Sequence, residues 1–370
     1  MGKIRLLHVI GGGEVGGAEE LVLTMMKLLD CEKFEPHLIC LCPGPFAALA
    51  EASGFKSTVI PMKHKLDITT ITPVREYLRK NRIKIVHSHG VRANLVARIA
   101  AKRESLPVVT TVHSVLRYDY PSAAEAFLAR WLTMLTNRYT DRFIAISRAI
   151  EAEIHKMGVP AHKVQVIYNG LDLTKFKTPG NPVEIKRKLK LDPNRPIVSM
   201  ISRLHPVKGH EYFIRAAYEV LKSGVDAQFL IIGEGDYRAR IEQWLDELGI
   251  KDSIIAPGYY SPIEDIYAIS DLLCVPSIME GLGMVILEAM NFNVPVIASN
   301  TGGIPEIIDD GVDGLLVQPK DFLSLARNII KVLNDRELAA RLAAHGQKKV
   351  QSFTLENMTR RVESIYLELG

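Results

Sequence analysis

Two glutamates flank a glycine turn in the stretch EGLGMVILEAM, residues 280–290. The preceding run, DLLCVPS (271–277), is apolar and predicts a buried strand. Glu280 and Glu288 lie about 10 Å apart if the turn leads into a helix, which rises about 1.5 Å per residue. Carboxylates at that distance cannot share one proton. They can instead accept hydrogen bonds from hydroxyl pairs at the two ends of one ligand.

A structural role is the alternative for Glu288, as an acid on a helix face paired with a neighbouring base. Leaving it buried and unpaired among its apolar neighbours would be costly. Two cations favour ligand binding instead. Arg203 and Lys208 follow the predicted strand IVSMIS and precede a helix, a position from which both can bind a diphosphate.

Backbone donors complete this candidate site. The turn at 281–284 opens a helix, and a helix start presents N–H groups to an anion. A third predicted strand, FLIIGEGD (229–236), ends in a further glycine pair, Gly233 and Gly235. The ligand that fits these groups carries hydroxyls at both ends and a diphosphate between them, which is the layout of a nucleotide-sugar.

A glycine-rich loop, GGGEVGG (11–17), joins the first predicted strand to a helix. It matches the G-x-G-x-x-G pattern of dinucleotide-binding folds, but the acid that should end the second strand is missing from LICLCPG. Nicotinamide-dependent redox chemistry is therefore disfavoured. A tight turn explains two glycines but not five. The loop could instead bind an anion or leave room for a substrate.

Three histidines stand at predicted strand ends. His113 ends PVVTTV, where a neutral imidazole can bond a sugar hydroxyl, and a backbone-satisfied core histidine is the alternative. His87 and His89 share one strand face. They invite a metal interpretation, but no third ligand is apparent, so no metal site is predicted. His89 is instead expected to line a cleft.

Composition excludes several classes of protein. The 370 residues are 47% hydrophobic and 24% charged, which is typical of globular domains. No apolar run approaches a membrane span, no secretory signal is expected, and four cysteines without a C-x-x-C pair suggest a reducing cytoplasm. Residues 1–170 hold 23 basic and 15 acidic side chains (23 − 15 = +8), and residues 171–370 hold 23 and 27 (−4). This asymmetry is either drift or an N-terminal half that meets an anionic surface or acceptor.

Apolar strand-length runs alternate with helical patterns, which predicts an α/β protein with parallel sheets. The Pro- and Lys-rich stretch at 172–196 interrupts the rhythm and predicts a linker between two doubly wound domains that face a cleft. We expect residues 1–178 to form the first domain and residues 179–353 the second, nucleotide-sugar-binding domain.

Taken together, the motifs resemble the retaining GT-B glycosyltransferases of the large group 1, family 4 type. The matching motifs are G-G-A-E at 16–19, H-S-H-G at 87–90, T-V-H-S at 111–114, I-S-R at 146–148, Y-N-G-L-D at 168–172, S-R-L-x-x-x-K-G at 202–209, G-E-G at 233–235, E-G-L-G-x-x-x-x-E at 280–288 and G-G-I-P-E at 302–306. They follow the family order over nearly the whole chain. The resemblance implies C-terminal helices, about 354–370, that return to the first domain.

The same resemblance implies roles for individual residues. Arg203 and Lys208 would contact the donor diphosphate, Glu280 the donor-sugar hydroxyls and Glu288 the ribose, while His113 would lie near the donor sugar. His89 and Asn169 would lie on the acceptor side. Backbone contacts to the donor would come from Gly16, Gly17, Gly233, Gly235, Gly258, Gly281, Leu282, Gly283, Met284 and Val285.

The resemblance also implies a retaining mechanism without a metal ion or other cofactor, because the chain lacks the Asp-x-Asp pair of the other main glycosyltransferase fold. A UDP-sugar is the favoured donor and a GDP-sugar the alternative. The acceptor is expected to be a glycan or a lipid-linked saccharide at the inner face of the plasma membrane, with no nucleic-acid partner. A nucleotide-sugar epimerase and a non-catalytic GT-B subunit remain alternatives.

One segment bears on the membrane question. YDYPSAAEAFLARWLTMLTNRY (118–139) predicts a helix with Phe127, Trp131 and Leu135 at i, i+4 spacing. Such a stripe either packs into the core or meets lipid.

Overall fold

The computed structural model describes residues 2–64, 67–118 and 122–370. The chain forms two compact units. Unit 1 comprises Met1–Gly170 together with Leu355–Gly370, and unit 2 comprises Leu171–Thr354. Residues 119–121, within the segment 118–139 that was predicted to meet either the core or lipid, lie outside the described residues. None of the described helices is long and apolar enough to cross a membrane.

Unit 1 contains a seven-stranded parallel sheet in the order β3-β2-β1-β4-β5-β6-β7. Its strands are β1 (Ile4–Ile10), β2 (Phe34–Cys40), β3 (Lys56–Val59), β4 (Ile85–His89), β5 (Val108–Val112), β6 (Arg142–Ala145) and β7 (Val164–Val166). The helices between them are α1 (Gly17–Leu28), α2 (Pro45–Ala52), α3 (Ile71–Lys80), α4 (Val91–Arg103), α5 (Ala123–Asn137) and α6 (Arg148–Lys156).

Unit 2 repeats the plan with six parallel strands in the order β10-β9-β8-β11-β12-β13. They are β8 (Ile197–Ile201), β9 (Gln228–Ile232), β10 (Ile254–Gly258), β11 (Leu272–Val275), β12 (Val296–Ser299) and β13 (Leu315–Val317). Its helices are α7 (Pro182–Lys188), α8 (His210–Lys222), α9 (Arg238–Leu248), α10 (Glu264–Ile269), α11 (Met284–Asn291), α12 (Ile304–Ile307), α13 (Phe322–Asn334) and α14 (Arg336–Val350).

The two parallel sheets confirm the predicted fold class. Central strands such as β4 and β9 are buried along their whole length, because helices cover both faces of each sheet. Strand order reverses between β1 and β4 in unit 1 and between β8 and β11 in unit 2. In doubly wound sheets, ligands bind beyond the carboxyl ends of the strands at such reversals.

The last helix, α15 (Leu355–Leu369), belongs to unit 1. Val362, Ile365 and Tyr366 of this helix are buried in one apolar cluster with Leu6 of β1 and Phe34 of β2. The core of unit 1 is therefore built from both ends of the chain.

The structure divides the units at 170/171, whereas the sequence placed the boundary at 178/179. Two contacts explain the difference. The ring of Phe176 packs edge-on against Phe292, and the backbone N–H of Lys177 donates to Glu264 Oε1 at 2.9 Å. The first part of the predicted linker is thereby part of unit 2.

Candidate functional site

The predicted cations and acids of unit 2 lie on loops that follow adjacent strands. Arg203 and Lys208 follow β8, Glu280 follows β11, and Gly233 and Gly235 follow β9. Because these strands are parallel, the loops emerge at one edge of the sheet, at the strand-order reversal.

Lys208 and Glu280 form the central polar contact of this edge. The Lys208 Nζ donates to both carboxylate oxygens of Glu280, at 2.7 and 3.0 Å, and Ser277 Oγ donates to Glu280 Oε2 at 3.1 Å. The two side chains are only 23% and 14% exposed, so the pair is shielded from water. Arg203 is exposed, and within the described ranges its guanidinium makes no hydrogen bond or ion pair. It is available to an anionic ligand.

The backbone of Glu280 is held by a close approach of another loop. Gly303 N–H donates to the Glu280 carbonyl at 3.1 Å. A Cβ at Gly302 would lie 1.8 Å from that carbonyl oxygen, and Gly302 has φ +56°. Only glycine fits there without displacing Glu280. The motif G-G-I-P-E includes this glycine, but its role in positioning Glu280 was not predicted.

Glu288 lies on α11, which starts just after the glycine turn, with Gly283 at φ +100° as its N-terminal flanking residue. Its Oε2 accepts a hydrogen bond from the Tyr267 hydroxyl at 2.6 Å. Tyr267 is buried and stacks on Phe292, with ring centroids 5.3 Å apart. Burial, reinforced by the Glu288 carboxylate, raises the pKa of Tyr267 well above its usual value. Tyr267 thus orients one oxygen of Glu288.

The remaining predicted donor residues are backbone elements of the same edge. The Gly233 N–H donates to the Gly258 carbonyl at 2.9 Å, which joins the ends of β9 and β10. Leu282 is buried, whereas Met284 and Val285 open α11 and are half-buried. The sequence missed Ser277 and Tyr267. Ser277 lies three residues before Glu280 and could have been found, but no pattern marked Tyr267.

In unit 1, four histidines meet at the carboxyl ends of β1, β4 and β5. The parallel register sets His8 of β1 beside His87 of β4. His8 Nδ1 lies 3.2 Å from His89 Nε2, and His89 Nδ1 lies 3.3 Å from His113 Nε2. His87 hydrogen-bonds to Tyr366 of α15 through Nδ1 and to Thr111 through Nε2, the latter at 2.7 Å.

Burial keeps these imidazoles neutral. It lowers the pKa of His8 to about 3 and that of His113 to about 4, and it lowers the pKa of His87 and His89 well below the usual value. A neutral imidazole carries one N–H, so the hydrogen bonds His8–His89–His113 must run in one direction.

The direction of these hydrogen bonds follows from the environment of His8, at the buried end of the series. Over the described residues, His8 Nε2 is buried and has no hydrogen-bond partner. Buried N–H groups without an acceptor are rarer than unfilled acceptors. His8 Nδ1 is therefore the donor to His89, His89 Nδ1 donates to His113 Nε2, and the N–H of His113 lies on Nδ1.

His8 is also the third imidazole that the sequence did not reveal. One nitrogen each from His8, His87 and His89 lies within 4.8 Å of the others. Both nitrogens of His87 are, however, bonded to Tyr366 and Thr111, and His8 is bonded to His89. A metal ion would have to replace these hydrogen bonds.

The predicted acceptor-side residues are brought together with His113. A small cavity of about 20 Å³ is lined by His89, His113 and Asn169, and also by Leu21 and Val22 of α1. Gly16 and Gly17 stand at the start of this helix. His113 additionally lines a cavity of about 540 Å³ together with Arg117, Phe127 and Arg130. That volume is in the range of small-molecule sites.

One glycine of the N-terminal loop has a structural explanation. A Cβ at Gly12, with φ +73°, would lie 2.6 Å from Cys40 Sγ. In contrast, a Cβ at Gly17 would meet nothing within 4 Å. Space beside the start of α1 is what the anion-site interpretation requires.

Two family models together span most of the chain. "Glycosyltransferase Family 4" matches residues 15–175 and "Glycosyl transferases group 1" matches residues 183–349. The chain is 27% identical to the Escherichia coli UDP-Gal:alpha-D-GlcNAc-diphosphoundecaprenol alpha-1,3-galactosyltransferase, over 99% of this chain and 97% of the relative. It is 28% identical to the N-acetyl-alpha-D-glucosaminyl L-malate synthase of Bacillus anthracis, over 82% and 79%.

Solved structures share the fold. HepE of Anabaena, crystallised with UDP and glucose, superposes with a TM-score of 0.87 at 24% identity, over 99% of this chain and 100% of that one. A sucrose-phosphate synthase from Thermosynechococcus elongatus superposes with a TM-score of 0.84 at 21% identity, over 99% of both chains. The two family models match the two halves of the chain, and the E. coli relative matches it over nearly its full length. The chain therefore belongs to the group 1, family 4 type glycosyltransferases.

Proposed function

We propose that the protein is a retaining, metal-independent glycosyltransferase that moves a hexose-type sugar from a UDP-sugar to a lipid-linked or glycan acceptor. A GDP-sugar is the alternative donor. The observation that carries the proposal is the shielded Lys208–Glu280 pair beside the exposed Arg203, at a strand-order reversal. The E. coli relative is named for a UDP-sugar donor and a diphosphoundecaprenol-linked acceptor, which supports both substrate classes.

The residues of unit 2 account for donor activation. Glu280 accepts hydrogen bonds from the hydroxyls of the donor sugar, while Lys208 and Arg203 neutralise the charge that develops on the leaving diphosphate. The N-terminus of α11 adds a positive dipole end. Glu280 holds the Lys208 ammonium through both of its carboxylate oxygens, which positions that charge for the diphosphate.

The residues of unit 1 account for the sugar and acceptor. The Nδ1–H of His113 donates to a sugar hydroxyl, and its low pKa keeps it neutral during the reaction. In a retaining transfer without a protein nucleophile, the leaving phosphate takes the acceptor proton on the same face of the sugar. An envelope polysaccharide or glycolipid made at the inner face of the plasma membrane is the product class we favour.

Glu288→Ala is expected to weaken binding of both the nucleotide-sugar and the free nucleotide by about 1–3 kcal/mol, because each loses a charged acceptor for its ribose hydroxyls. Isothermal titration calorimetry with a panel of nucleotides and nucleotide-sugars would measure this and name the donor. Glu337→Ala, at an exposed site in the first turn of α14, is the matched control. If no nucleotide binds the folded wild type, the donor site is refuted and a non-catalytic subunit becomes the better interpretation.

Transfer is expected to persist in EDTA at the wild-type rate, because Arg203, Lys208 and the start of α11 meet the phosphate charge. Product formation with and without chelator, followed by the anomeric proton couplings of donor and product, measures both metal dependence and retention. Loss of activity that Mg²⁺ or Mn²⁺ restores would contradict metal independence. Sugar interconversion without any acceptor would identify an epimerase.

A further inference from the structure

Helix α5 exposes its apolar side and buries its polar side, the reverse of an ordinary surface helix. Its exposed side chains are apolar: Phe127 is 63% exposed, Trp131 51% and Leu135 52%, together with Leu128 and Met134. They project within about 120° of the helix circumference. One helix thus holds five of the 15 exposed large hydrophobic residues found among the described residues. The core-facing alternative for Phe127, Trp131 and Leu135 is therefore wrong.

The inward side of α5 explains this orientation. Thr133, Thr136 and Asn137 are buried there, and the Arg98 side chain bonds to all three. Its Nη1 donates to Asn137 Oδ1 at 2.9 Å and to Thr136 Oγ1 at 3.1 Å. Arg98 is itself fully buried, so this polar contact fixes which side of the helix faces the protein. The apolar side is left to solvent.

Basic side chains border the apolar face. Arg130 and Arg138 lie on or just after α5, Arg117 precedes it, and all three are exposed. Arg117, Arg130 and Phe127 line one cavity. Residues 1–170 carry a formal charge of +8 (23 − 15). Arginine beside exposed Phe, Trp and Leu is the composition of a helix that lies in a membrane interface.

The charge around the face decides between occupants. Arg117, Arg130 and Arg138 are exposed beside it, so a second copy docked on this face would bring the arginines of the two copies together and be repelled. The negatively charged headgroups of an anionic bilayer attract the same arginines. A largely apolar cavity of about 240 Å³ between α4 and α5 shares Leu128 with the face and extends the apolar surface inward.

We propose that the outer face of α5 inserts into the interface of an anionic lipid bilayer, with Phe127, Trp131 and Leu135 among the acyl chains and Arg130 and Arg138 at the headgroups. The inference deepens the proposed function, since it would hold unit 1 where a lipid-linked acceptor lies. It concerns binding alone, so its test needs neither donor nor acceptor.

The protein contains two tryptophans, and Trp131 is exposed whereas Trp244 is buried in unit 2. In the otherwise intact Trp244→Phe variant, Trp131 is the sole tryptophan. Vesicles containing phosphatidylglycerol are expected to shift its emission to the blue, and lipids brominated on the acyl chain are expected to quench it. Binding should fall with salt, because charge attraction contributes.

Variants locate the contact. Phe127→Ser combined with Leu135→Ser is expected to lower the vesicle partition coefficient at least about tenfold, because two apolar side chains no longer insert. Val312→Ser combined with Leu323→Ser, at sites 49% and 47% exposed in unit 2, should leave it unchanged. Circular dichroism and thermal unfolding check that each pair still folds.

Three results would overturn the inference. In the first, vesicles leave Trp131 emission unchanged. In the second, vesicles bind equally well after the α5 substitutions, so another surface is responsible. In the third, Trp131 shifts without lipid as protein concentration rises and light scattering shows a dimer, which would make α5 a self-association surface. Failure of nucleotide binding with intact vesicle binding would refute the proposed donor site and leave this inference standing.

Discussion

Lys208→Met is expected to lower kcat/KM for sugar transfer by about 10²–10³-fold, the size of effect that follows loss of one group stabilising charge in the transition state. The ammonium is the only described cation bonded to Glu280, and Glu280 holds it with both oxygens. Substitution removes a positive charge from the diphosphate site. It also leaves the Glu280 carboxylate, only 14% exposed, with Ser277 as its one remaining side-chain partner among the described residues.

The coupling between the two side chains can be measured separately. Glu280→Gln keeps the shape and the bond from Ser277, and it should reduce kcat/KM by weakening the hold on both Lys208 and the sugar hydroxyls. The fold loss of kcat/KM in the double variant is expected to be smaller than the product of the two single losses. Each single variant leaves the other side chain without its hydrogen-bond partner, and the double variant does not. Steady-state kinetics provide all three values, with Lys331→Met at an exposed site of α13 as control. If kcat/KM of the Lys208→Met enzyme stays within threefold of the wild-type value, Lys208 does not stabilise the transition state.

Unit 1 is expected to unfold in mild acid before unit 2. Histidines have a pKa near 6.5 in the unfolded chain, whereas burial holds the pKa of His8 at about 3 and of His113 at about 4 in the folded one, with His87 and His89 also well below. Between these values the unfolded state binds more protons. Stability is therefore complete above about pH 6.5 and is lost as the pH falls below it.

The expected slope is large. Each histidine protonated only on unfolding removes up to about 1.4 kcal/mol per pH unit, so four remove up to about 5–6 kcal/mol per unit. Two unit 2 histidines, His205 and His210, also have lowered pKa values, which gives that unit a shallower slope. Hydrogen exchange of β4 and β9, corrected for the intrinsic effect of pH, reports the two units separately.

Matched variants test the cause. His8→Gln removes one of the four groups and should reduce the pH slope of unit 1 by about one proton, even if it lowers stability at neutral pH. His162→Gln, at an exposed site of the same unit, should leave the slope unchanged. Equal stability of β4 at pH 7.5 and 5.5, or earlier loss of β9, would contradict the prediction.

Much of the fold followed from sequence because its signals are local. Strands such as IVSMIS and FLIIG are continuously apolar, and this pattern arises when both sheet faces are covered. Since parallel strands end at one edge, the loops bearing Arg203 and Glu280 could be placed together without knowing the strand order. That Lys208 would be held by Glu280 depends on loop conformation, which the spacing does not specify.

The histidine cluster and the orientation of α5 could not be predicted, because both depend on contacts between segments that are distant in the sequence. His8 is one histidine in an apolar strand, and only the register with β4 sets it beside His87. For α5, apolar residues at i, i+4 spacing have the same pattern whether they face the core or solvent. The deciding residue is Arg98, which lies on α4 and bonds to the polar side of α5. Nothing near Phe127 in the sequence reveals it.

The position of α15 in unit 1 has a consequence for biosynthesis. A ribosome completes the first 170 residues long before it makes Tyr366, whose ring fills the same apolar cluster as Leu6 and Phe34 and whose hydroxyl bonds to His87. At about 5–20 residues per second, unit 2 takes roughly 10–40 s to emerge in between. The nascent first segment must therefore wait with part of its core open, while the contiguous unit 2 can finish folding as soon as it leaves the exit tunnel. A chain that stalls or is cut before its last turns would release an N-terminal segment with exposed apolar surface, which is a substrate for chaperones and proteases.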